Sequence, residues 1–166
     1  CFKRAIRSRH EEGIHDAAVA ATIAPLHLSE GDSIARLAQA VAGRWDALDV
    51  LLLNAAMLGT LTPVPQIDGK EFNRLLTLNV LAQQALIAAF DPLLRKSMAG
   101  RVIALPSSVS ESPRAYWGAY AASKAALDAL VLAYADEVRN ISPVRVAVVN
   151  PGPTATVMRA RAYPGE

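Results

Sequence analysis

Four short apolar stretches punctuate the chain: ATIAPLHL (21–28), LDVLLLN (48–54), RVIALP (101–106) and VRVAVVN (144–150). Longer segments with helical character separate them, and this alternation limits the possible folds more than any other feature. A strand, a helix and a second strand in strict turn pair in parallel, because the helix carries the chain back to the start of the sheet. LDVLLLN has no polar alternation, the mark of a strand covered on both faces. SEGDSIARLAQAVAGRW (29–45) places Ile34, Leu37, Ala38 and Val41 at helical spacing, and Gly43 suits its end. Residues 68–97 read as a long helix that Pro92 breaks or bends. Residues 117–140, rich in Ala and Leu, read as another helix. The expected fold class is α/β: a three-layer, doubly wound parallel sheet, incomplete, occupying residues 21–166, with residues 1–20 fitting it poorly.

Composition narrows the function classes. With 52% hydrophobic and 19% charged residues, the 166-residue chain suits a globular domain with a sizeable core. A formal charge of +2 argues against nucleic acid or an anionic membrane as partner. The single cysteine, Cys1, permits no internal disulfide. No apolar run approaches the ~20 residues that span a bilayer. His10, His15 and His27 lack ligand-like spacing with one another or with Cys1, so no metal site is expected. The composition leads us to expect a soluble cytoplasmic protein without nucleic acid or membrane partners.

Parallel sheets bind ligands at the carboxyl ends of their strands. The residues there are Asn54-Ala55-Ala56, Ser107-Ser108 and Asn150-Pro151-Gly152, all small or polar. The helix after RVIALP carries Tyr120 and Lys124, one turn apart in YAASK. A free phenol has a pKa of about 10 and is a poor base at neutral pH. A lysine cation within ~4–6 Å favours the phenolate, so the pair is either a phenol and a cation on a solvated helix face or one in which Lys124 is expected to lower the Tyr120 pKa. Asn79 lies among apolar residues of a helix, where a buried amide without partners is costly, and so a specific role is expected.

These segments resemble the short-chain dehydrogenase/reductase family from about residue 46 to 158. LLLNAAM is similar to the family's Asn-Ala-Gly turn, with Ala56 in place of the Gly. LTLNV places Asn79 at its asparagine, GRVIALPSSV at its fifth strand and serine, YAASK at its Tyr-x-x-x-Lys, and NPGPTAT at its Pro-Gly turn. The resemblance implies a Rossmann-like fold and hydride transfer between NAD or NADP and a small alcohol or carbonyl. It implies Tyr120 as general acid/base, with Asn79, Ser107 and Lys124 completing the catalytic set. Asn54, Ala55, Ala56, Tyr120, Lys124, Pro151, Gly152, Thr154 and Thr156 would contact the cofactor. It further implies, for the intact protein, a homodimer or homotetramer through helices 68–90 and 117–138.

Ser107 lies thirteen residues before Tyr120, the family's common spacing, which favours it over Ser108. Thr154 and Thr156 suit a helix cap as well as a cofactor contact. Arg114, Tyr116 and Trp117 either line a substrate pocket or pack their loop. Three departures stand out. His27 occupies the place of the family's adenine-contacting Asp, Pro106 that of a small or hydroxyl residue, and the opening residues contain no Gly-rich turn. The chain therefore reads as a fragment, without the N-terminal Gly-rich strand-turn-helix and the C-terminal end. The strand at 21–28 would then either pair directly beside 48–54 or be displaced, leaving an open edge. An alternative is a non-catalytic remnant unable to bind cofactor. A sugar-nucleotide epimerase shares Tyr-x-x-x-Lys, but the Asn-Ala-Ala turn and NPGPTAT fit the simple dehydrogenases better.

Overall fold

The structure, a computed structural model, describes residues 26–28 and 31–165. Its elements are α1 (Gly31–Ala42), β1 (Val50–Leu53), a 3-10 turn (Val64–Gln66), α2 (Gly69–Leu76), a π-helical turn (Thr77–Leu81), α3 (Ala82–Lys96), β2 (Arg101–Ala104), α4 (Ser108–Glu111), α5 (Gly118–Val138), β3 (Arg145–Val148) and α6 (Val157–Ala162). Most of the strand expected at 21–28 lies outside the described residues, and its described end, 26–28, forms no strand.

The three strands run parallel in the order β1-β2-β3. Val50 pairs with Arg101 and Leu53 with Ala104, and Ala104 pairs in turn with Val148. Side chains alternate across a strand, and one face of this sheet presents Leu51, Leu53, Val102, Ala104 and Val146 to a single core. Ile34 of α1, Leu86, Phe90 and Leu94 of α3, and Leu127 and Val131 of α5 fill the other side of that core. Among the described residues the opposite face of the sheet is uncovered: Val50 and Leu52 are 50% and 54% exposed. The expectation that 48–54 is covered on both faces therefore holds on one face only here, because α1, α3 and α5 all pack on that side. Among the described residues β1 pairs only with β2, and the choice between a strand at 21–28 beside 48–54 and an open edge falls on residues outside those described.

Asp68 caps α2, its carboxylate accepting the Glu71 N–H at 2.7 Å. The helical run from 69 to 96 does not end at Pro92, which lies inside α3. Phe90, Leu93 and Leu94 are buried around Pro92. Asp91 accepts the Tyr134 hydroxyl of α5 at 2.7 Å and the Arg95 Nε–H at 2.7 Å. This packing keeps the chain helical despite the hydrogen bond that proline cannot donate. The irregularity falls instead at the π-helical turn, which carries the buried Asn79. Gly100 leads into β2, and a Cβ there would lie 2.4 Å from the Leu94 carbonyl oxygen, so the tight return from α3 requires glycine. No helix among the described residues is long and apolar enough to cross a membrane.

Candidate active site

The carboxyl ends of all three strands open onto one cavity of about 1250 Å³. Asn54, Ala55 and Ala56 follow β1, Ser107 and Ser108 follow β2, and Asn150, Pro151, Gly152, Thr154 and Thr156 follow β3; all line it. Tyr120 and Lys124, on the first two turns of α5, complete one wall, and residues 26–28 contribute at the other end. Gly152 takes a φ of +73°, a conformation that favours glycine, and the space around its Cα is open. The main chain here can therefore be approached closely.

Ser107 is the residue before α4, and its hydroxyl does not cap that helix. It is free to turn toward Tyr120, and the hydrogen bond between the two side chains pulls the phenol pKa down. Burial acts more strongly, and the net shift is upward, with the Asp128 charge adding to it. This reverses the expected direction. Lys124 is not what sets the acidity of the phenol; its ammonium donates instead to the Leu105 carbonyl. Burial lowers the Lys124 pKa, and the nearby Asp128 carboxylate opposes that shift. Ser108, the competing serine, is exposed.

Asn79 is not a wall of this cavity; it stands behind it. Its amide oxygen accepts the Met57 N–H at 2.8 Å, and its Nδ2 donates to the Met57 carbonyl at 2.9 Å and to Ser123 Oγ at 3.0 Å. Ser123 donates in turn to the Tyr120 carbonyl at 2.8 Å. Gln83, one turn further on, donates to the Ala55 carbonyl at 2.9 Å. Together these two buried amides fasten the turn after β1 to the helices. Asn79 was legible from sequence as a buried polar residue. Sequence reasoning does not single out Gln83 or Ser123, although an amide four residues from Asn79 on an apolar helix is a readable signal.

Trp117 both lines the cavity and packs edge-on against Tyr120, with ring centroids 6.0 Å apart. Tyr163, just past α6, lies 5.7 Å from Trp117. Arg114 donates to the Tyr163 hydroxyl at 3.3 Å, and Tyr116 is exposed with a φ of +72°. Of the three loop residues, Trp117 thus lines the cavity, while Arg114 bonds Tyr163, which lines it as well. Thr156 caps α6 by accepting the Arg159 N–H at 3.1 Å, and Thr154 donates to the Gly152 carbonyl at 3.3 Å.

A parallel sheet whose strand ends converge on a serine, a tyrosine and a lysine defines an α/β domain with the architecture of nucleotide-binding folds. The comparisons are more specific. The chain belongs to the short chain dehydrogenase family, which it matches over residues 5–166. It is 41% identical over 131 residues to the uncharacterized oxidoreductase YciK of Escherichia coli K12, covering 79% of this chain and 51% of that protein. A short chain dehydrogenase from Salmonella enterica serovar Typhi superimposes with a TM-score of 0.89 at 37% identity, over 95% of this chain and 66% of that one. A metagenomic short-chain oxidoreductase in complex with NADP gives a TM-score of 0.80 at 32% identity, over 89% and 65% respectively. The fold is therefore Rossmann-like, and the described residues form part of it. The chain spans about half the length of the first curated relatives it matches, 51% in the case of YciK.

Proposed function

We propose that this chain carries the catalytic part of an NAD- or NADP-dependent oxidoreductase that interconverts an alcohol and a carbonyl. The observation that carries this reading is the convergence of Ser107, Tyr120 and Lys124 on one cavity at the carboxyl ends of the strands. The upward shift of the Tyr120 pKa keeps the phenol protonated at neutral pH, which suits it to act as general acid toward a carbonyl oxygen. In reduction the substrate oxygen takes the Tyr120 proton while the Ser107 hydroxyl hydrogen-bonds it in place. In oxidation Tyr120 accepts that proton back.

The residues present fit the nicotinamide end of such a cofactor. The turns 54–56 and 150–156 have small side chains, Gly152 leaves its surroundings open, and Lys124 has donors beyond the one given to Leu105. Asn54, Ala55, Ala56, Pro151, Gly152, Thr154 and Thr156 would flank it, and Lys124 would hold ribose hydroxyls. When bound, the cofactor supplies or accepts the hydride at the substrate carbon. Crystals of the metagenomic relative contain NADP, which supports the assignment without choosing between the two cofactors here. Asn79 acts by holding the turn after β1 rather than by touching substrate.

The assembly we propose is a homodimer or homotetramer through the helices of 68–90 and 117–138. The test of function is direct: titrate the full chain with NADPH and NADH, then follow nicotinamide absorbance with a panel of small ketones and aldehydes. Turnover abolished by Tyr120→Phe is the expected result. Failure to bind either nucleotide would leave the non-catalytic alternative standing.

A further inference from the structure

Asp128 lies one turn beyond Lys124 on α5, and beyond the influence of its charge on Tyr120 and Lys124 it has no part in the proposed chemistry. Its Oδ2 accepts the Ser110 hydroxyl at 2.6 Å, while its Oδ1 is buried without a hydrogen-bond partner. A carboxylate oxygen left in that state costs free energy that an alanine at the same place would not. What offsets the cost is the contact made by the other oxygen. Ser110 belongs to α4, a four-residue helix too short to hold itself together. The Ser110 hydroxyl also lies 2.6 Å from the Ser107 carbonyl, which accepts the Ser110 N–H at 2.9 Å as well. A hydroxyl has one hydrogen, so Ser110 shares it between the Ser107 carbonyl and the Asp128 carboxylate, bridging the two. The direction of the Ser107 hydroxyl depends on where α4 sits, because Ser107 is the first residue before it.

We propose that Asp128 is a positioning residue: through Ser110 it clips the segment carrying Ser107 onto α5, and so sets the approach of the Ser107 hydroxyl to Tyr120. Its catalytic consequence rests on the oxidoreductase reading given above. Asp128→Asn keeps an acceptor for Ser110 and removes the charge. Asp128→Ala and Ser110→Ala each open the clip from one side.

The experiment compares these variants, and the Ser110→Ala/Asp128→Ala double variant, in the full chain. In NADPH- or NADH-dependent carbonyl reduction, each alanine variant should lower kcat about tenfold, as loss of a charge-assisted hydrogen bond does. The KM for the nucleotide should stay within about twofold, since the clip holds Ser107 and not the cofactor turns. The double variant should be no worse than either single one, because both remove the same contact. Asp128→Asn should stay within about threefold of the parent. Alanine variants with parental kcat, effects that multiply in the double variant, or Asp128→Asn as slow as Asp128→Ala would each overturn the proposal. If the parent itself shows no turnover, it is the oxidoreductase reading that fails, and hydrogen exchange decides the clip by itself. The Ser110 and Ser112 amides, which donate to Ser107 and Ser108, should then exchange at least about fivefold faster in both alanine variants and not in Asp128→Asn. Unchanged exchange in the alanine variants would overturn the clip as well.

Discussion

Asn79 holds the backbone of Met57 by both ends of its amide, accepting the N–H at 2.8 Å and donating to the carbonyl at 2.9 Å. The two residues lie on different elements, and the pairing copies the two-bond pattern by which strands hold one another. The remaining Nδ2 hydrogen goes to Ser123, whose hydroxyl supports the Tyr120 carbonyl. One buried side chain thus fixes both the turn after β1 and the first turn of α5.

Asn79→Ala should therefore be costly to the fold as a whole. It leaves the part-buried Met57 N–H and carbonyl, and the buried Ser123 hydroxyl, short of a partner. An unsatisfied buried group costs about 1–3 kcal/mol, so a total of about 3 kcal/mol is expected. For a chain of this size that corresponds to a fall in Tm of roughly 10 °C. Thermal unfolding followed by circular dichroism measures it; a Tm within about 2 °C of the parent would contradict the structural role.

Tyr120→Phe separates proton transfer from binding. The ring keeps its edge-on contact with Trp117 and loses only the hydroxyl. Positioned general acid–base groups contribute about 10²–10⁴-fold, so kcat for carbonyl reduction should fall at least about a hundredfold. Nucleotide affinity, read by fluorescence titration, should change less than about threefold, since most of the proposed contacts come from other residues. A variant that keeps its kcat would remove Tyr120 from the chemistry.

Stability should decline in alkali, with a defined sign. The pKa values of Tyr120 and Tyr134 are both raised above the ordinary 10.0, chiefly by burial, with the Asp91 hydrogen bond reinforcing the shift at Tyr134. The folded chain therefore keeps two protons that the unfolded chain releases near pH 10. Their contribution is fully present below pH 10 and is lost as pH climbs through the folded values. Lys124 acts in the opposite sense: its pKa is lowered from 10.5 by burial, so its unfavourable effect fades as pH approaches that value. Tyr134 carries the largest of these shifts, so above pH 10.5, where Lys124 no longer contributes, denaturant midpoints should fall as pH rises further. Tyr134→Phe, which removes one of the two phenols without touching the cavity, should flatten that decline. An equally steep decline in the variant would show that Tyr134 is not responsible.

Much of this arrangement was readable because it rests on local pattern. The helix at 29–45 resolves to Gly31–Ala42, ending beside Gly43. The strand at 101–106 resolves to Arg101–Ala104. Strand ends were read too long where the backbone leaves the ladder: the Leu48 N–H goes to the Leu93 carbonyl of α3, not to a neighbouring strand. Of the two outcomes expected at Pro92, a break or a bend, the break does not occur, because of packing that no residue rule contains; Asp91 and its partners Tyr134 and Arg95 lie far apart in sequence or one turn away, and no local signal joins all three. The Tyr120 pKa was misjudged for a similar reason. Spacing placed Lys124 on the same helical row, but spacing says nothing of depth, and burial outweighs every other influence on that phenol. The Asn79–Met57 pairing spans 22 residues across a π-helical turn that has no sequence signature.

The last expectation concerns association of copies of the chain. α5 is apolar on nearly every side, and a helix of that kind is ordinarily buried all round. Here one side packs on the core through Leu127 and Val131, while Ala122, Ala125, Ala129 and Leu132 form an exposed row at helical spacing, with Leu132 59% exposed. Next to it, Leu81 of the π-helical turn is also 59% exposed, and Gln84 and Ala88 continue its row along α3. Small residues let two helices approach closely, and the flanking leucines supply apolar area worth about 25 cal/mol per Å² when covered. We therefore expect the full chain to be a homodimer or larger at micromolar concentration, with this surface at the contact. Light scattering coupled to size exclusion reads the mass directly. Ala129→Glu places a charge in the middle of the exposed row without touching the core or the cavity, and should shift the mass to that of a monomer while leaving far-ultraviolet circular dichroism unchanged. A parent chain that runs as a monomer, or an oligomer indifferent to Ala129→Glu, would mean that these helices are not where the copies meet.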